Sequence, residues 1–207
     1  ALSSAASDVY KRQTLMYYYL QECGIPSSLM SALNYMRIDK DGEPDYFYIE
    51  QNLKRELSQP DVQPLIITQG FICRNAYGEI DNLKRGGSDY SAALVGAALR
   101  AEEIQIWTDI DGVHNNDPRF VEKTRAIRQL SFDEAAELAY FGAKILHPSS
   151  IQPAKKENIP VRLKNTLHPE DEGTLITKES PVENVKAVAA KDGITAINVK
   201  STNMLLA

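Results

Sequence analysis

Lys84-Arg85-Gly86-Gly87-Ser88-Asp89 gives way to an alanine-rich run, Tyr90-Ser91-Ala92-Ala93-Leu94-Val95, and then to a β-rich one, Ile104-Gln105-Ile106-Trp107-Thr108. A turn, a helix and a strand in that order build a parallel sheet. The two glycines let backbone approach a ligand closely, and Ser88 can cap the helix predicted over 89–101. A helix N-terminus offers unpaired N–H groups and the positive end of a dipole, which suits phosphate or carboxylate. Arg85 adds a planar fork able to grip a carboxylate with two hydrogen bonds. Arg-Gly-Gly-Ser is equally ordinary turn chemistry, so the stretch alone leaves anion binding and a plain helix-opening turn both open.

Outward from this point, strands and helices alternate. Residues 14–23 read as a helix stopped by Gly24 and Pro26, and 45–57 as a second stopped before Pro60. Residues 64–68 read as a buried strand entering 69–72, and Asn75-Ala76-Tyr77-Gly78 as a turn leading into 80–83. Ser131-Phe132-Asp133-Glu134 fits a capping box, opening a helix to about 142. A helix over 149–157 and a strand over 159–164 follow. The late β-rich runs 185–190 and 194–199 are joined by Lys191-Asp192-Gly193. The pattern predicts an α/β fold with a mainly parallel sheet covered on both faces. Residues 1–13 show neither helical nor strand periodicity and read as a leader foreign to the fold, of the kind adapter sequence leaves. The last two runs have no room to complete a unit, so the C-terminus reads as cut.

With 23 basic against 28 acidic residues the net charge is −5, which argues against a nucleic-acid or anionic-membrane surface. An anionic ligand would need local basic residues. Cys23 and Cys73 form neither metal-ligand spacing nor a disulfide framework and read as reduced thiols of a cytoplasmic protein. The longest strongly apolar run, 92–99, is too short to cross a bilayer, and the N-terminus has no signal-peptide pattern.

Two further stretches carry chemistry. Trp107-Thr108-Asp109-Ile110-Asp111-Gly112-Val113 sits where the strand predicted at 104–108 ends, and ligands of open parallel sheets gather at such ends. Thr108 and Asp109 can bond a sugar, a phosphate or a water, and Asp117-Pro118-Arg119 can turn a guanidinium toward phosphate. A calcium loop would need a regular Asp-x-Asp-x-Asp-Gly and a terminal Glu; a solvated acidic turn stays open as the alternative. Phe141-Gly142-Ala143-Lys144-Ile145-Leu146-His147-Pro148 ends the capped helix. There Lys144 either complements the helix dipole or reaches a phosphate. His147 reads as structural, and His114, His147 and His168 share no metal-ligand spacing, so no metal is assigned to protein ligands.

The order of these motifs is more specific than any one of them. Thr-Gln-Gly-Phe-Ile (68–72), Arg-Gly-Gly-Ser-Asp-Tyr-Ser-Ala (85–92), Trp-Thr-Asp-Ile-Asp-Gly-Val (107–113), Asp-Pro-Arg (117–119) and Gly-Ala-Lys-Ile-Leu-His-Pro (142–148) together resemble aspartate kinases of the amino-acid kinase family. Pro160-Val161-Arg162-Leu163-Lys164-Asn165 and Gly173-Thr174 continue the likeness, which covers about 14–207. It implies a three-layer α/β/α sandwich over 14–180, followed over 185–207 by the start of a ferredoxin-like ACT regulatory domain. It implies phosphoryl transfer from ATP, with Mg2+, to the side-chain carboxylate of L-aspartate, opening lysine, threonine and methionine biosynthesis.

By the same resemblance, Arg85 grips the substrate carboxylate, Gly86, Gly87, Ser88 and Asp89 shape its pocket, and Asp89 and Lys144 are catalytic. Thr108, Asp109, His114, Arg119, Lys144 and Ile145 meet the nucleotide; position 114 departs from relatives with tyrosine there. A lysine or threonine effector at the ACT domain and a homodimer are implied as partners. The family's opening Lys-Phe-Gly-Gly motif does not occur among these residues, so the resemblance implies that they are inactive by themselves. Rival readings are another kinase of this fold, acting on glutamate, acetylglutamate or UMP, and a non-catalytic nucleotide-binding regulatory fragment.

Overall fold

The computed structural model describes residues 2–84, 86–117, 120–141, 146–182, 185–189, 193 and 195, with backbone alone for 2–10, 141 and 148. In chain order the elements are α1 (Leu2–Glu22), β1 (Ser27–Met30), α2 (Tyr46–Leu57), β2 (Leu65–Thr68), β3 (Ile72–Arg74), β4 (Ile80–Asn82) and α3 (Gly87–Leu99). Then come β5 (Ile104–Thr108), β6 (Gln129–Ser131), α4 (Phe132–Phe141), α5 (Gln152–Glu157), β7 (Val161–Asn165) and β8 (Thr174–Thr177).

The largest sheet runs β5-β7-β8-β6; it is mixed, with two of its three pairings parallel as expected and one antiparallel. β5 and β7 pair in parallel, from Ile104 beside Val161 to Thr108 beside Asn165. β8 then lies antiparallel to β7 and parallel to β6. The cause is chain length: residues 166–173 are too few for the crossover of a dozen or more that a parallel return requires. β1 and β2 form a separate parallel pair, and β3 and β4 an antiparallel hairpin closed by the expected turn, where Asn75 Oδ1 accepts the amides of Tyr77 (2.9 Å) and Glu79 (3.0 Å).

α3 joins two hydrophobic clusters. Its Ala97 packs with Ile104, Ile106, Val113, Leu130, Leu146 and Leu163, while its Leu94 packs with Met30, Tyr35, Ile49, Leu53 and Ile72. α2 begins as expected, with the Asp45 carboxylate accepting the Tyr48 amide at 3.0 Å.

Several expectations fail for local reasons. α1 extends back to Leu2 instead of starting near residue 14: residues 2–13 hold no glycine or proline and several good helix formers, so propensity carries a helix that periodicity did not announce. β2 is half exposed, not buried; it ends at Thr68 as expected, and Phe71 turns to φ 72° before β3 starts. The 149–157 helix is a 3-10 turn over Pro148–Ile151 followed by the shorter α5. Residues 185–189 form no strand, and most of the run 194–199 lies outside the described residues.

The capping box of α4 forms as read. Ser131 N–H donates to Glu134 Oε2 at 2.7 Å and Glu134 N–H to Ser131 Oγ at 3.1 Å. Burial alone pushes Glu134 up, but the Ser131 amide, the Ser180 hydroxyl and the Lys186 ammonium together hold it down at about 2. A carboxylate depressed on folding stabilises fully above its ordinary value of 4.5, and that contribution drains as pH falls toward 2. Glu134→Gln therefore lowers the melting temperature at neutral pH, and its gap from wild type narrows between pH 4.5 and 2. Circular dichroism melts across that range check this; a gap that stays constant rejects it.

Candidate functional site

Gly86, not Ser88, caps α3. Its backbone sits at φ 70°, ψ 17°, left-handed geometry that costs glycine least, and its carbonyl accepts the Tyr90 amide at 2.7 Å. The helix consequently begins at Gly87, two residues ahead of the sequence expectation, and the exposed Ser88 hydroxyl donates to Asp89 Oδ1 at 3.4 Å. The amides of Gly87, Ser88 and Asp89 fall in the first turn, where an α-helix has no internal acceptor for them. Burial pushes the Asp89 carboxyl above its usual range, with the Ser88 hydroxyl opposing.

The turn is locked by close contact on two sides. A Cβ on Gly87 would lie 2.2 Å from Phe71 Cδ2, and one on Gly86 would lie 3.0 Å from His147 Cβ. Phe71 is held in place by its own amide, which donates to Ser91 Oγ at 2.9 Å; that hydroxyl donates in turn to Gly87 O at 2.8 Å. Just upstream, buried Gln69 accepts the Ala32 amide at 2.8 Å while its Nε2 is buried without a partner among the described residues. Tyr35 Oη and Thr68 Oγ1 bond at 2.7 Å. Gln69 and Phe71 are the residues that sequence reading missed as site components. The 68–72 motif pointed to their stretch, but no composition cue announces a phenylalanine at positive φ.

The loop after β5 is tied down at both ends. Thr108 Oγ1 accepts the Ile110 amide at 3.1 Å, making a local turn, and Asp109 stands exposed. Gly112, at φ 123°, presses on β8, where a Cβ would lie 2.4 Å from Thr174 Oγ1. That hydroxyl accepts the Val113 amide at 2.9 Å and donates to Ile127 O at 2.6 Å. Both His114 ring nitrogens are engaged inside the loop, Nε2 with Asp111 Oδ1 at 2.6 Å and Nδ1 with Thr124 Oγ1 at 2.8 Å. The His114 bond holds the Asp111 carboxyl below its ordinary value. His114 thus holds the shape of the loop through both ring nitrogens.

Arg85, Arg119, Lys144 and Ile145 lie outside the described residues. Their described neighbours do converge. His147 serves structure, as expected: its Nδ1 accepts the Ser149 amide at 3.3 Å and its carbonyl accepts Ser150 Oγ at 2.6 Å. It also abuts Gly86, and Leu146 is buried in one cluster with Ile106 and Val113. The Gly-Gly turn, the segment after α4 and the loop after β5 are thereby linked. A cavity of about 660 Å³ lies elsewhere, between α1 and the start of β1, lined by Tyr17, Gln21, Ser27 and Gln63 among others. Among the described residues no three His, Cys, Asp or Glu side chains cluster as metal ligands. The first-turn amides of α3 instead suit an anion, and the exposed Asp109 suits a hydroxyl-bearing one.

Residues 12–165 match the Amino acid kinase family. The chain is 37% identical over 200 residues to the chloroplastic bifunctional aspartokinase/homoserine dehydrogenase 2 of Zea mays, covering 92% of this chain and 22% of that protein. It is 40% identical over 166 residues to lysine-sensitive aspartokinase 3 of Escherichia coli, covering 79% and 36%. The crystal structure of E. coli aspartokinase III in complex with aspartate and ADP superposes with a TM-score of 0.77 at 36% identity, over 85% of this chain and 40% of that one. The chain thus spans roughly a fifth to two fifths of the length of these relatives.

The glycine at 112 is a sharp test of the loop. Gly112→Ala forces a Cβ into Thr174 at a strained φ and costs about 2–3 kcal/mol, a fall of about 4–12 °C in melting temperature for a chain of this size. Differential scanning calorimetry reads the shift; a variant melting with wild type rejects the packing described.

Proposed function

The chain belongs to the amino acid kinase family, with aspartokinases among its relatives, and on that footing we propose that it supplies the substrate pocket and nucleotide loop of an aspartate kinase. The reaction moves the γ-phosphoryl group of ATP onto a side-chain carboxylate oxygen of L-aspartate, leaving ADP and 4-phospho-L-aspartate. The acceptor is already ionised at neutral pH, so no general base is required. The work is alignment of two anions and neutralisation of the charge between them.

Arg85 grips a substrate carboxylate, with Gly86, Gly87, Ser88 and Asp89 forming the pocket around it. Phe71, wedged on Gly87, walls that pocket. The loop from Thr108 and Asp109 to Arg119 receives the nucleotide, with Lys144 at the phosphates and Ile145 beside the nucleotide. Mg2+ bound to the triphosphate would contribute charge neutralisation. The observation that carries this reading is the contact of Gly86 with His147, which sets the acceptor pocket against the segment that follows Lys144 in sequence. The resemblance beyond residue 185 supports the finer assignments of an ACT unit, a lysine or threonine effector and a homodimer. The free thiols Cys23 and Cys73 support a cytoplasmic setting.

Trp107, the single tryptophan, directly precedes Thr108 and reports on the nucleotide loop. Titrating the chain with Mg-ATP changes Trp107 emission, and Arg119→Ala and Lys144→Ala each weaken that binding by about ten- to a hundredfold, as expected for a lost charge-assisted bond. Arg85→Ala leaves nucleotide binding intact and abolishes the calorimetric signal of aspartate. Without a Lys-Phe-Gly-Gly stretch these 207 residues bind without turning over. Phosphorylated aspartate formed at a normal enzymatic rate rejects the last point, and a chain that ignores Mg-ATP rejects the proposal.

A further inference from the structure

One largely shielded ionisable side chain has no part in the mechanism above. Lys186 is 9% exposed in its side chain, and its Nζ donates to Glu134 Oε1 at 2.9 Å, Glu134 Oε2 at 3.0 Å and Ser180 Oγ at 2.6 Å. Ser180 Oγ closes the triangle by donating to Glu134 Oε2 at 2.6 Å. An ammonium removed from water is tolerated only when paired and hydrogen-bonded, as this one is. Two residues on, the Val188 amide donates to Asn115 O at 2.9 Å. Asn115 is itself fastened to the returning limb of its loop, donating to Arg125 O at 3.0 Å and accepting the Arg125 amide on Oδ1 at 2.9 Å.

The stretch after β8 therefore touches two places at once. Glu134 lies in the first turn of α4, and the far end of α4 leads into the segment of Lys144. Asn115 lies in the loop between Asp109 and Arg119. A short helix moves as a unit, so fixing its start fixes where its end delivers the chain. Phe132 and Ala135 of α4 share a cluster with Val113 of the loop and with Leu146, which makes any shift of one felt by the others.

We propose that Lys186 is a positioning residue for the nucleotide site: clasped to Glu134 while Val188 holds Asn115, it keeps the start of α4 and the loop after β5 in a fixed relation. This rests on the assignment of that loop and of Lys144 to the nucleotide. Whatever displaces the stretch 180–188 loosens both arms together, so the chain beyond β8 has a physical handle on nucleotide affinity without contacting the nucleotide.

The test uses the full 207-residue chain, Mg-ATP and Trp107 emission. Lys186→Met keeps the stem and removes the charge; it raises the nucleotide Kd by about tenfold, the scale of one lost charge-assisted bond. Glu134→Gln does the same, and the double variant is no worse than either single, because both remove one interaction. Val188→Pro deletes the other anchor and also weakens binding, which decides the matter should Lys186→Met fail to fold. The control is Lys155→Met, which breaks the Lys155–Asp133 ion pair at the same end of α4 without touching the stretch 180–188; its Kd and its bound-state emission spectrum stay at wild type. Equal weakening by the control means that the clasp only stabilises α4, and unchanged affinity in Lys186→Met and Val188→Pro likewise overturns the proposal. A wild-type chain that binds no nucleotide overturns the functional assignment itself, and this proposal with it.

Discussion

The absence of two Cβ atoms, at Gly86 and Gly87, is the constraint on which the rest of the site depends. One glycine supplies the left-handed turn that starts α3; the other supplies the space that Phe71 fills. Each contact recruits a different part of the chain. Phe71 brings the end of β2, with Gln69 and Thr68 behind it, and His147 brings the segment after α4. Since α3 also bridges the two hydrophobic clusters, the turn sits where the halves of the described structure meet. A side chain at either position would have to push apart elements whose packing is shared by both cores.

The loop after β5 answers the same demand by other means. Its backbone polar groups are satisfied by a buried threonine, Thr174, which lies on the strand that makes the sheet mixed. The antiparallel return of β8 is thus more than a topological detail. It places a hydroxyl between Val113 and Ile127 and closes the base of the loop proposed to receive the nucleotide. The site is therefore built on both a helix terminus and a sheet, with side chains from four separate stretches fixing one another.

What could be read from the sequence follows the range of the interactions. The capping box at Ser131 and Glu134 and the turn at Asn75 were legible because each is settled within a few residues. The cap of α3 was misread by two positions because Ser88 and Gly86 are both acceptable caps locally, and only the packing of Gly86 against His147 chooses between them. Strands β1, β6 and β8 are too short to show alternation, and β8 is specified by the length of its connection to β7. Phe71 at φ 72° and the occupied ring of His114 are tertiary outcomes with no local signature.

The clasp at Glu134 shows how one carboxylate can serve two levels of structure. Its bond from the Ser131 amide belongs to the helix, and a helix end would be capped without anything further. The bonds from Ser180 and Lys186 come from beyond β8, 46 and 52 residues away in sequence, and are unnecessary for capping. A half-buried ion pair adds little net stability, since an apolar side chain of similar size would do as well. A charged pair is instead specific about which stretch docks and in what register. That specificity is what a chain needs if the stretch it docks must hold a helix start and a binding loop in fixed relation, and must be able to release them.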